Sequence, residues 1–255
     1  MKIGLFIKEE LEESDIATFL ISKINEHGFD FDNDSPDAVI YVGGDGTFLR
    51  AVHEYIDNIE NIIFVGVNEG TVGYYPHFVI DEIDGVLAML LSGDYDIDPH
   101  HLIVARLGNE ELYAVNELRI ENPFHTLICN VLVNGVFLEE YRGNGLSICT
   151  SSGSGAYNRS LGGAIISPKL HTLQLTEIAS INNYRYRSLN SSLVVSKQEE
   201  ISVEGDFSEA VIGYDHLTTS SDFNRISFSL SDRVVNVVRK EGYQYIDKIR
   251  DTFIK

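Results

Sequence analysis

The chain has 255 residues, of which 44% are hydrophobic, 23% charged and 10% aromatic, as in a folded protein of one large domain or two smaller ones. Its 19 basic and 39 acidic residues give a formal net charge of −20, which argues against nucleic acid or an anionic membrane as the main partner. A nucleotide is not excluded, because a local pocket of backbone amides and a few basic side chains is enough to bind one.

The sequence shows no pattern of export or of membrane insertion. After Met1-Lys2 the apolar run Ile3–Ile7 is too short for the core of a signal peptide, and acidic residues follow it. No stretch approaches the length of a membrane span, so we expect a cytoplasmic protein. Cys129 and Cys149 each lie in an alternating apolar stretch, and we expect both to be buried, reduced thiols.

The first hundred residues alternate between strand-like and helix-like patterns. Short apolar runs suit buried parallel strands, whereas apolar residues spaced three and four apart suit helices packed on a sheet. This alternation predicts an α/β domain over residues 1–98. The predicted strands are Ile3–Ile7, Ala38–Val42 and Ile62–Val67, and the predicted helices follow Ser14, begin near Thr47 and cover Asp81–Leu91.

The pattern changes near Tyr95–His101, after which strand-like alternation dominates. Asn134-Gly135 between two apolar runs is a strong hairpin signal, because both residue types tolerate positive φ. We therefore predict a mainly β domain over residues 99–236. The remaining segment, 237–255, contains a helical pattern that we expect to pack back on the first domain, with these apolar residues on one face: Ile246, Ile249 and Phe253.

The sharpest local signal is the turn Gly43-Gly44-Asp45-Gly46-Thr47, which follows a predicted buried strand and precedes a helix. Its glycines let the backbone approach a ligand closely, and the helix start directs free amide N–H groups at an anion. An acid in such a loop is unfavourable unless it accepts a proton from an attacking hydroxyl or holds a cation beside the phosphates. The alternative is a tight turn in which Asp45 only caps the helix. The dinucleotide fingerprint G-x-G-x-x-G is not matched, since its last position is Leu49.

Two further segments suit ligand-facing loops. Gly66–Tyr75 also follows a predicted strand and would reach the carboxyl edge of the sheet, although an ordinary turn is an equal alternative. Tyr141–Gly163 is rich in Ser, Asn and Gly and carries Arg142 and Arg159, which suits a polar cradle for sugar hydroxyls and phosphates. Its apolar residues and its length argue against a disordered surface loop.

Taken in order, these motifs resemble the NAD kinase family. GGDGT is followed by N-x-G-x-x-G from Asn68, NE at Asn116-Glu117, RGNGL, GAYNRSLGGA and LTEIASINN, and the match extends through Asp215-His216 to the carboxyl-terminal helix. GGDGT is shared with diacylglycerol and sphingosine kinases, whereas AYN-x-SLGGA and TEIASINN are much more specific. The resemblance implies an α/β nucleotide-binding domain joined to a mainly β NAD-binding domain, with homodimers or homotetramers as the usual assemblies.

The resemblance also implies roles for individual residues. Asp45 would orient or deprotonate the 2′-hydroxyl of the adenosine ribose of NAD, with ATP and a divalent cation such as Mg²⁺ as the usual donor. Asn116 and Glu117 would hold NAD through its ribose and neighbouring groups, and Asp215 and His216 would lie toward the phosphoryl donor. The other residues expected to line the NAD site are Gly46, Arg142, Asn144, Ser152, Ala156, Tyr157, Ser160, Ala179 and Tyr186.

The sequence departs from the usual family pattern at four positions. Asn144 replaces the Asp of RGDG that contacts the nicotinamide end, so an acceptor is kept and the charge is lost. Gly155 replaces the threonine before AYN, Glu69 places a carboxylate near a phosphate site, and Ser151 stands where proline is usual. These departures bear on affinity and cofactor preference more than on the reaction.

Metal sites are not supported by the sequence. Asp94, Asp96 and Asp98 resemble the start of a calcium loop, but the glycine and glutamate of that loop are missing. The adjacent His100-His101 cannot easily converge on one metal, and we expect a solvated turn there. We therefore predict no protein ligands to a metal.

Three functional hypotheses remain. The first is an NAD kinase, the second a lipid or sphingoid-base kinase with the same GGDGT loop, and the third a dinucleotide-binding protein with little catalysis. The second would need a deep apolar slot, whereas the Ser/Asn/Gly-rich run predicts a polar cradle. Asp45 argues against the third, since a sensor gains nothing obvious from an acid there.

Overall fold

The chain folds into two compact units. The structure is a computed structural model that describes residues 1–7, 15–68, 73–220 and 222–254. One unit consists of Met1–His100 with Val234–Lys255, and the other of His101–Arg233. The first is α/β and the second mainly β, as the sequence predicts. No helix among the described residues is long and apolar enough to cross a membrane.

The regular elements follow one another along the chain with short connections. The strands are β1 (Lys2–Ile7), β2 (Asp30–Phe31), β3 (Ala38–Val42), β4 (Ile63–Asn68), β5 (Phe78–Val79), β6 (Asp96–Leu107), β7 (Glu110–Ala114), β8 (Glu117–Glu121), β9 (Leu127–Val133), β10 (Val136–Gly143), β11 (Gly145–Thr150), β12 (Thr172–Ile178), β13 (Leu193–Ser196), β14 (Ile201–Gly205), β15 (Val211–Tyr214), β16 (Leu217–Ser220) and β17 (Arg225–Arg239). The helices are α1 (Asp15–Glu26), α2 (Asp45–Glu54), α3 (Ile83–Ser92), α4 (Tyr157–Ser160) and α5 (Tyr245–Phe253).

A parallel sheet forms the centre of the first unit. Its strands run in the order β2-β1-β3-β4, with β5 pairing parallel to the end of β4. All five residues of β3 are buried, as expected for a strand with elements on both faces of its sheet. Since β3 and β4 are parallel, their carboxyl ends lie at the same edge, and the two glycine-containing loops begin there.

The predicted helices of the first unit are present with small shifts at their ends. Helix α2 begins at Asp45, two residues before Thr47. The segment predicted as Asp81–Leu91 begins with a 3₁₀ turn, Ile80–Glu82, before α3, which ends at Gly93 with φ +73°. The predicted cap Ser14 lies outside the described residues.

Helix α5 belongs to the first unit, as predicted, but it buries a different face. Ile246 was expected on the apolar face and is 65% exposed, whereas Lys248 is only 3% exposed. The expectation from the apolar spacing is therefore wrong for Ile246. A long aliphatic stem allows a lysine to fill an apolar position, which a count of apolar residues cannot detect.

The second unit contains antiparallel sheets around one large core. Strands β13-β12-β11-β8-β15-β16 pair in that order, and β10-β9-β14 continue onto the first half of β17. The predicted hairpin at Asn134-Gly135 is confirmed, with φ +51° and +75° at its two turn residues. Cys129 and Cys149 are buried and free, as predicted.

The adjacent histidines correct one expectation. His100 and His101 lie within strand β6, and His100 is 1% exposed, so they do not form a solvated turn. The edge of the His100 ring meets the ring of Tyr75, with centroids 5.3 Å apart, and its Nε2 lies 3.7 Å from Asp98. Packing against these groups overrides the polar character that suggested a turn.

Candidate active site

The loop between β3 and α2 has the backbone that its glycines predict. Gly43 has φ +145°, and a Cβ built on it would lie 2.3 Å from Oγ1 of Thr47. Only glycine fits there without moving the start of the helix. Gly44 is the residue that caps α2, and within the described residues no side-chain cap bonds to the start of the helix. The first amides of the helix face the position where a helix N-terminus binds an anion.

The carboxylate of Asp45 bonds to the loop that follows β4. Its Oδ1 accepts the backbone N–H of Tyr75 at 2.9 Å, and its Oδ2 accepts that of Tyr74 at 3.2 Å. A Cβ on Gly73 would lie 2.8 Å from Oδ1, so the chain passes this carboxylate at close range. The sequence predicted that both loops face one edge of the sheet. The bond that joins them through Asp45 was not predicted.

These contacts argue against the alternative in which Asp45 is only a helix cap. The cap position belongs to Gly44, and the described bonds of the Asp45 side chain run to residues about thirty positions away rather than to its own helix. Asp45 is therefore not a local cap. The described part of the second loop begins again at Gly73, and Glu69 lies outside the described residues.

Buried polar side chains surround the carboxyl edge of this sheet. The hydroxyl of Tyr41, Nε2 of His77 and Nζ of Lys248 are all shielded from solvent and lack a hydrogen-bond partner within the described parts of the chain. Burial, followed by the positive charge of Lys248, lowers the pKa of His77 to about 2, so its ring is neutral at physiological pH. A set of buried donors without partners is unusual and indicates space for polar contacts with a ligand.

In the second unit, Asp215 fixes the start of the NE pair. Its Oδ2 accepts the backbone N–H of Val115 and its Oδ1 that of Asn116, both at 2.8 Å. Asp215 sits in the two-residue turn between β15 and β16, at φ +50°, and its N–H donates to the carbonyl of Glu117. The predicted residues Asp215, Asn116 and Glu117 are thus brought together. His216, the other half of the turn, is exposed.

Glu117 is a carboxylic acid whose buried surroundings disfavour its charged form. It is 5% exposed, and its Oε2 is buried without a hydrogen-bond partner in the described chain. Burial raises the pKa of this carboxyl to about 7, and the negative charge of Asp215 adds to the shift. An acceptor kept free at such a position suits recognition of a ligand hydroxyl.

Arg119 lies beside the predicted site residues Glu117 and Tyr157, and the sequence did not reveal it. Its guanidinium lies 4.8 Å from the ring of Tyr157 and contacts Glu121 at 3.2 Å, with Glu117 at 4.0 Å. Gly213 on the neighbouring strand leaves room for it, since a Cβ there would lie 3.0 Å from its Nη2. In the sequence, Arg119 is an ordinary polar residue of an alternating strand. The glycine opposite it was the available signal.

The Ser/Gly-rich segment packs directly against the NE pair. A Cβ on Gly153 would lie 2.1 Å from the carbonyl oxygen of Asn116, so only glycine allows this approach. Thr150 ties the two segments further, because its N–H donates to the Asn116 carbonyl and its Oγ1 to the Val115 carbonyl. The predicted residue Ser152 lies in the turn between Thr150 and Gly153 and is buried.

Arg142 and Tyr186 are also brought together. The guanidinium of Arg142 lies 4.5 Å from the ring centroid of Tyr186 and also pairs with Glu140 at 2.7 Å. Tyr186 is presented by a tight turn in which Oδ1 of Asn183 accepts the N–H groups of Arg185 and Tyr186. An arginine over a tyrosine face makes a flat, charged platform of the kind that suits a base or a phosphate.

Two carboxyl groups anchor the chain just after this turn. Glu139 accepts the N–H of Leu189 at 2.7 Å, and Glu177 accepts the N–H of Asn190 at 3.1 Å and the hydroxyl of Ser188 at 3.2 Å. Burial, together with the neighbouring Glu177, raises the pKa of Glu139 to about 7. These bonds fix the segment that carries Tyr186.

Ala179 and Asn144 occupy adjoining positions with special backbone or side-chain roles. Ala179 has φ +50°, a left-handed conformation that costs a residue with a Cβ about 1 kcal/mol or more. Nδ2 of Asn144 donates to the carbonyl of Asn122 at 3.0 Å. The amide that replaces the family's usual Asp is therefore used within the protein itself.

The remaining predicted site residues are exposed, whereas Asn158, which was not among the predicted site residues, is buried. Gly46, Ala156 and Ser160 are exposed and free to face a ligand. Asn158, by contrast, is fully buried, and its side chain bonds to the carbonyls of Ser154 and Ala164 and to Oγ1 of Thr176. It shapes the AYN segment from within.

A large open depression in the second unit is unrelated to these residues. Its volume is about 1190 Å³, and its lining includes Arg106, Asp206, Phe223 and Arg225. None of the predicted site residues lines it. Size alone therefore does not identify the site here; the fixed backbone and buried polar atoms do.

Comparison with known proteins supports the same family for both units. A family model of the ATP-NAD kinase N-terminal domain matches residues 6–95, and one of the C-terminal domain matches residues 115–240. An NAD kinase of Leuconostoc citreum is 34% identical over 260 residues, covering 100% of this chain and 98% of that protein. NAD kinase 1 of Listeria monocytogenes is 32% identical over 253 residues, covering 96% of each.

Solved structures show the same fold at lower sequence identity. A yeast NADH kinase complexed with NADH has a TM-score of 0.84 at 18% identity, covering 98% of this chain and 86% of the yeast chain. An NAD kinase from Archaeoglobus fulgidus in complex with ATP has a TM-score of 0.76 at 18% identity, covering 98% and 99%. With motifs, domain matches and full-length relatives in agreement, the chain belongs to the NAD kinase family.

Proposed function

We propose that this enzyme transfers the terminal phosphoryl group of ATP to the 2′-hydroxyl of the adenosine ribose of NAD, giving NADP and ADP. The assignment of roles rests on the position of the Asp45 carboxylate. Asp45 is an acid at the start of a helix that has no side-chain cap among the described residues, and two backbone bonds hold its carboxylate in place. A fixed carboxylate beside a phosphate loop suits acceptance of a proton from an attacking hydroxyl.

In the proposed step, the ribose oxygen forms a bond to the terminal phosphorus of ATP. The bond from that phosphorus to the bridging oxygen breaks, and ADP leaves with the electron pair. The hydroxyl proton passes to Asp45 and later to solvent. The enzyme's contribution is to align the hydroxyl with the phosphorus and to stabilise the charge of the transferred group.

We assign NAD recognition to the residues gathered in the second unit. The buried, unpaired Oε2 of Glu117 supports a role in accepting a ribose hydroxyl, and Asp215 supports it by fixing the adjacent Asn116. The Arg142–Tyr186 pair supports a contact with a base or phosphate. Ser152, Tyr157 and Ala179 would complete this lining.

The divalent cation enters this proposal as part of the metal–ATP substrate. No cluster of three or more His, Cys, Asp or Glu side chains positioned for a metal occurs among the described residues. The described side chains therefore do not form an all-protein metal cage, and no step is assigned to one. Mg²⁺ commonly keeps several waters and binds mainly through substrate phosphates.

The deciding experiment measures NADP formation from NAD, ATP and Mg²⁺ with the purified protein. We expect turnover with NAD, and parallel reactions with inorganic polyphosphate and with NADH define the donor and acceptor range. NAD binding without NADP formation would favour the non-catalytic alternative, and phosphorylation of diacylglycerol or sphingosine instead of NAD would favour a lipid kinase. We further propose that the protein is cytoplasmic and that it forms a homodimer or homotetramer. Light scattering of the purified protein tests the assembly.

A further inference from the structure

One basic side chain of the first unit lies where basic side chains are rarely found. Lys248, on α5, is 3% exposed, and among the described residues it is the only Lys or Arg that is buried. Lysine is almost never fully buried unless it is paired. Its Nζ makes no hydrogen bond within the described chain, so all its donors are unsatisfied.

The groups around this ammonium come from several elements. Its Nζ lies 3.9 Å from Oδ2 of Asp98 on β6, which is beyond hydrogen-bond distance, and 5.1 Å from the ring centroid of Tyr74. Tyr74 is one of the residues whose N–H bonds to Asp45. The charged or titratable groups that face Lys248 are Asp98, Asp45, Arg239 and His77.

Charge balance around Asp45 is the reason to consider a role for this lysine. Asp45 and Asp98 place two carboxylates in the same neighbourhood, in a chain whose formal net charge is already −20. A triphosphate brought next to Asp45 adds further negative charge, and like charges repel strongly where water is excluded. His77 contributes nothing to the balance because its ring is neutral. Lys248 is the buried cation available to offset the carboxylates.

We propose that Lys248 is a positioning residue for phosphoryl transfer, whose buried ammonium offsets the carboxylates of Asp45 and Asp98 so that the triphosphate of ATP can approach Asp45. Lys248 transfers no proton during the reaction, and the bonds made and broken are those of the reaction above. This inference rests on the proposed function of Asp45. It explains why the carboxyl-terminal helix buries a lysine in preference to Ile246.

The proposal implies a dependence on pH that an anchoring role would not produce. Burial lowers the pKa of Lys248 to about 8, although the negative charges of Asp98 and Asp45 oppose the shift. The ammonium therefore loses its charge as the pH rises through about 8. An arginine at this position stays charged over the whole range.

The experiment compares Lys248→Met and Lys248→Arg with the wild type and with Lys23→Met. Met keeps the length of the stem without the charge. Lys23, paired with Asp84 on the same unit, is the matched control, since its loss changes the net charge equally. We expect Lys248→Met to lower kcat/KM for ATP, and to weaken ATP binding without NAD, by about ten-fold or more, as for the loss of one charge near the reacting phosphate. The KM for NAD should change less than two-fold, and Lys23→Met should behave like the wild type.

The pH profile provides the second measurement. Between pH 7 and 9.5, kcat/KM for ATP of the wild type should fall relative to that of Lys248→Arg. A folded Lys248→Met enzyme with normal kcat/KM for ATP would overturn the proposal, as would parallel pH profiles of the wild type and Lys248→Arg. If Lys248→Met does not fold, the pH comparison decides. An inactive wild type would instead refute the proposed function, whereas an active wild type that needs Asp45 but not Lys248 would refute this inference alone.

Discussion

Replacing Asp45 with Asn tests the proposed mechanism and the structural role of the same side chain. Asn keeps the size of Asp and one acceptor oxygen, but it cannot take a proton from the ribose hydroxyl. A positioned general base contributes on the order of 10²–10⁴ in rate. We therefore expect turnover to fall by roughly a hundred-fold or more, which corresponds to about 3 kcal/mol of barrier.

The structure adds an effect on stability. Asp45 accepts the N–H groups of Tyr75 and Tyr74 with its two oxygens, at 2.9 and 3.2 Å. Asn can accept only one of them, and its NH₂ group would face the other donor. A hydrogen bond to a charged group contributes about 1.5–3 kcal/mol, so the loss should be about 2–3 kcal/mol. For a protein of this size that corresponds to a fall in Tm of roughly 4–12 °C.

The assay measures kcat, KM for NAD and Tm on the same preparation, with kinetics at least 20 °C below the transition. Asp215→Asn is the matched comparison, because Asp215 also accepts two backbone amides, both at 2.8 Å. We expect similar falls in Tm for both variants and a much larger fall in kcat for Asp45→Asn. A folded Asp45→Asn enzyme with near-normal turnover would remove Asp45 from the mechanism. Equal losses of kcat in both variants would show that the rate effect is structural.

Further predictions concern the NAD-binding residues, the phosphate loop and the metal. On sequence grounds, Asn144→Asp would restore the family's usual charge and tighten NAD binding. The bond from Asn144 to the Asn122 carbonyl reverses that expectation, because a carboxylate would repel the carbonyl oxygen. Calorimetry should show weaker NAD binding and a lower Tm, and tighter binding would contradict this. The pKa of Glu117 is raised to about 7. The contribution of this carboxyl to the free energy of unfolding is therefore complete below pH 4.5 and is lost as the pH rises through 7. Glu117→Gln should therefore gain stability relative to the wild type between pH 5 and pH 8, by about 3 kcal/mol in urea unfolding, while NAD affinity falls. Gly43→Ala forces a Cβ to 2.3 Å from Oγ1 of Thr47 and should destabilise by more than about 1 kcal/mol, seen as a lower Tm with weaker ATP binding. NADP formation should stop in excess chelator and return with Mg²⁺, and full activity in chelator would exclude a metal–ATP substrate.

Features that depend on neighbours in the sequence could be predicted from the sequence. The buried strand before Gly43, the glycine turn and the helix after it form one continuous segment, so spacing and residue type were enough. The hairpin at Asn134-Gly135 is local in the same way. In such segments the conformational preference of each residue agrees with the fold around it.

Contacts between distant residues could not be predicted in this way. The bonds from Asp45 to Tyr74 and Tyr75 join residues about thirty positions apart, and Lys248 feels the charge of Asp45 from two hundred positions away in sequence. The apolar spacing of α5 favoured Ile246 because a lysine counts as polar although its stem is apolar. Arg119 gave no signal, since its role depends on the room left by Gly213 on another strand.

Asn158 shows what the most specific motif of this chain records. The side chain is fully buried and bonds to Ser154, Ala164 and Thr176, and a Cβ on Gly163 would lie 2.2 Å from its Oδ1. A descendant that had lost Asp45 would still need this Asn and this Gly to close the segment. The motif would therefore outlast the chemistry, and a survey of genomes by AYN-x-SLGG would count inactive descendants among the kinases. On the role proposed for Asp45, the acid in GGDGT is the feature that would separate the two groups.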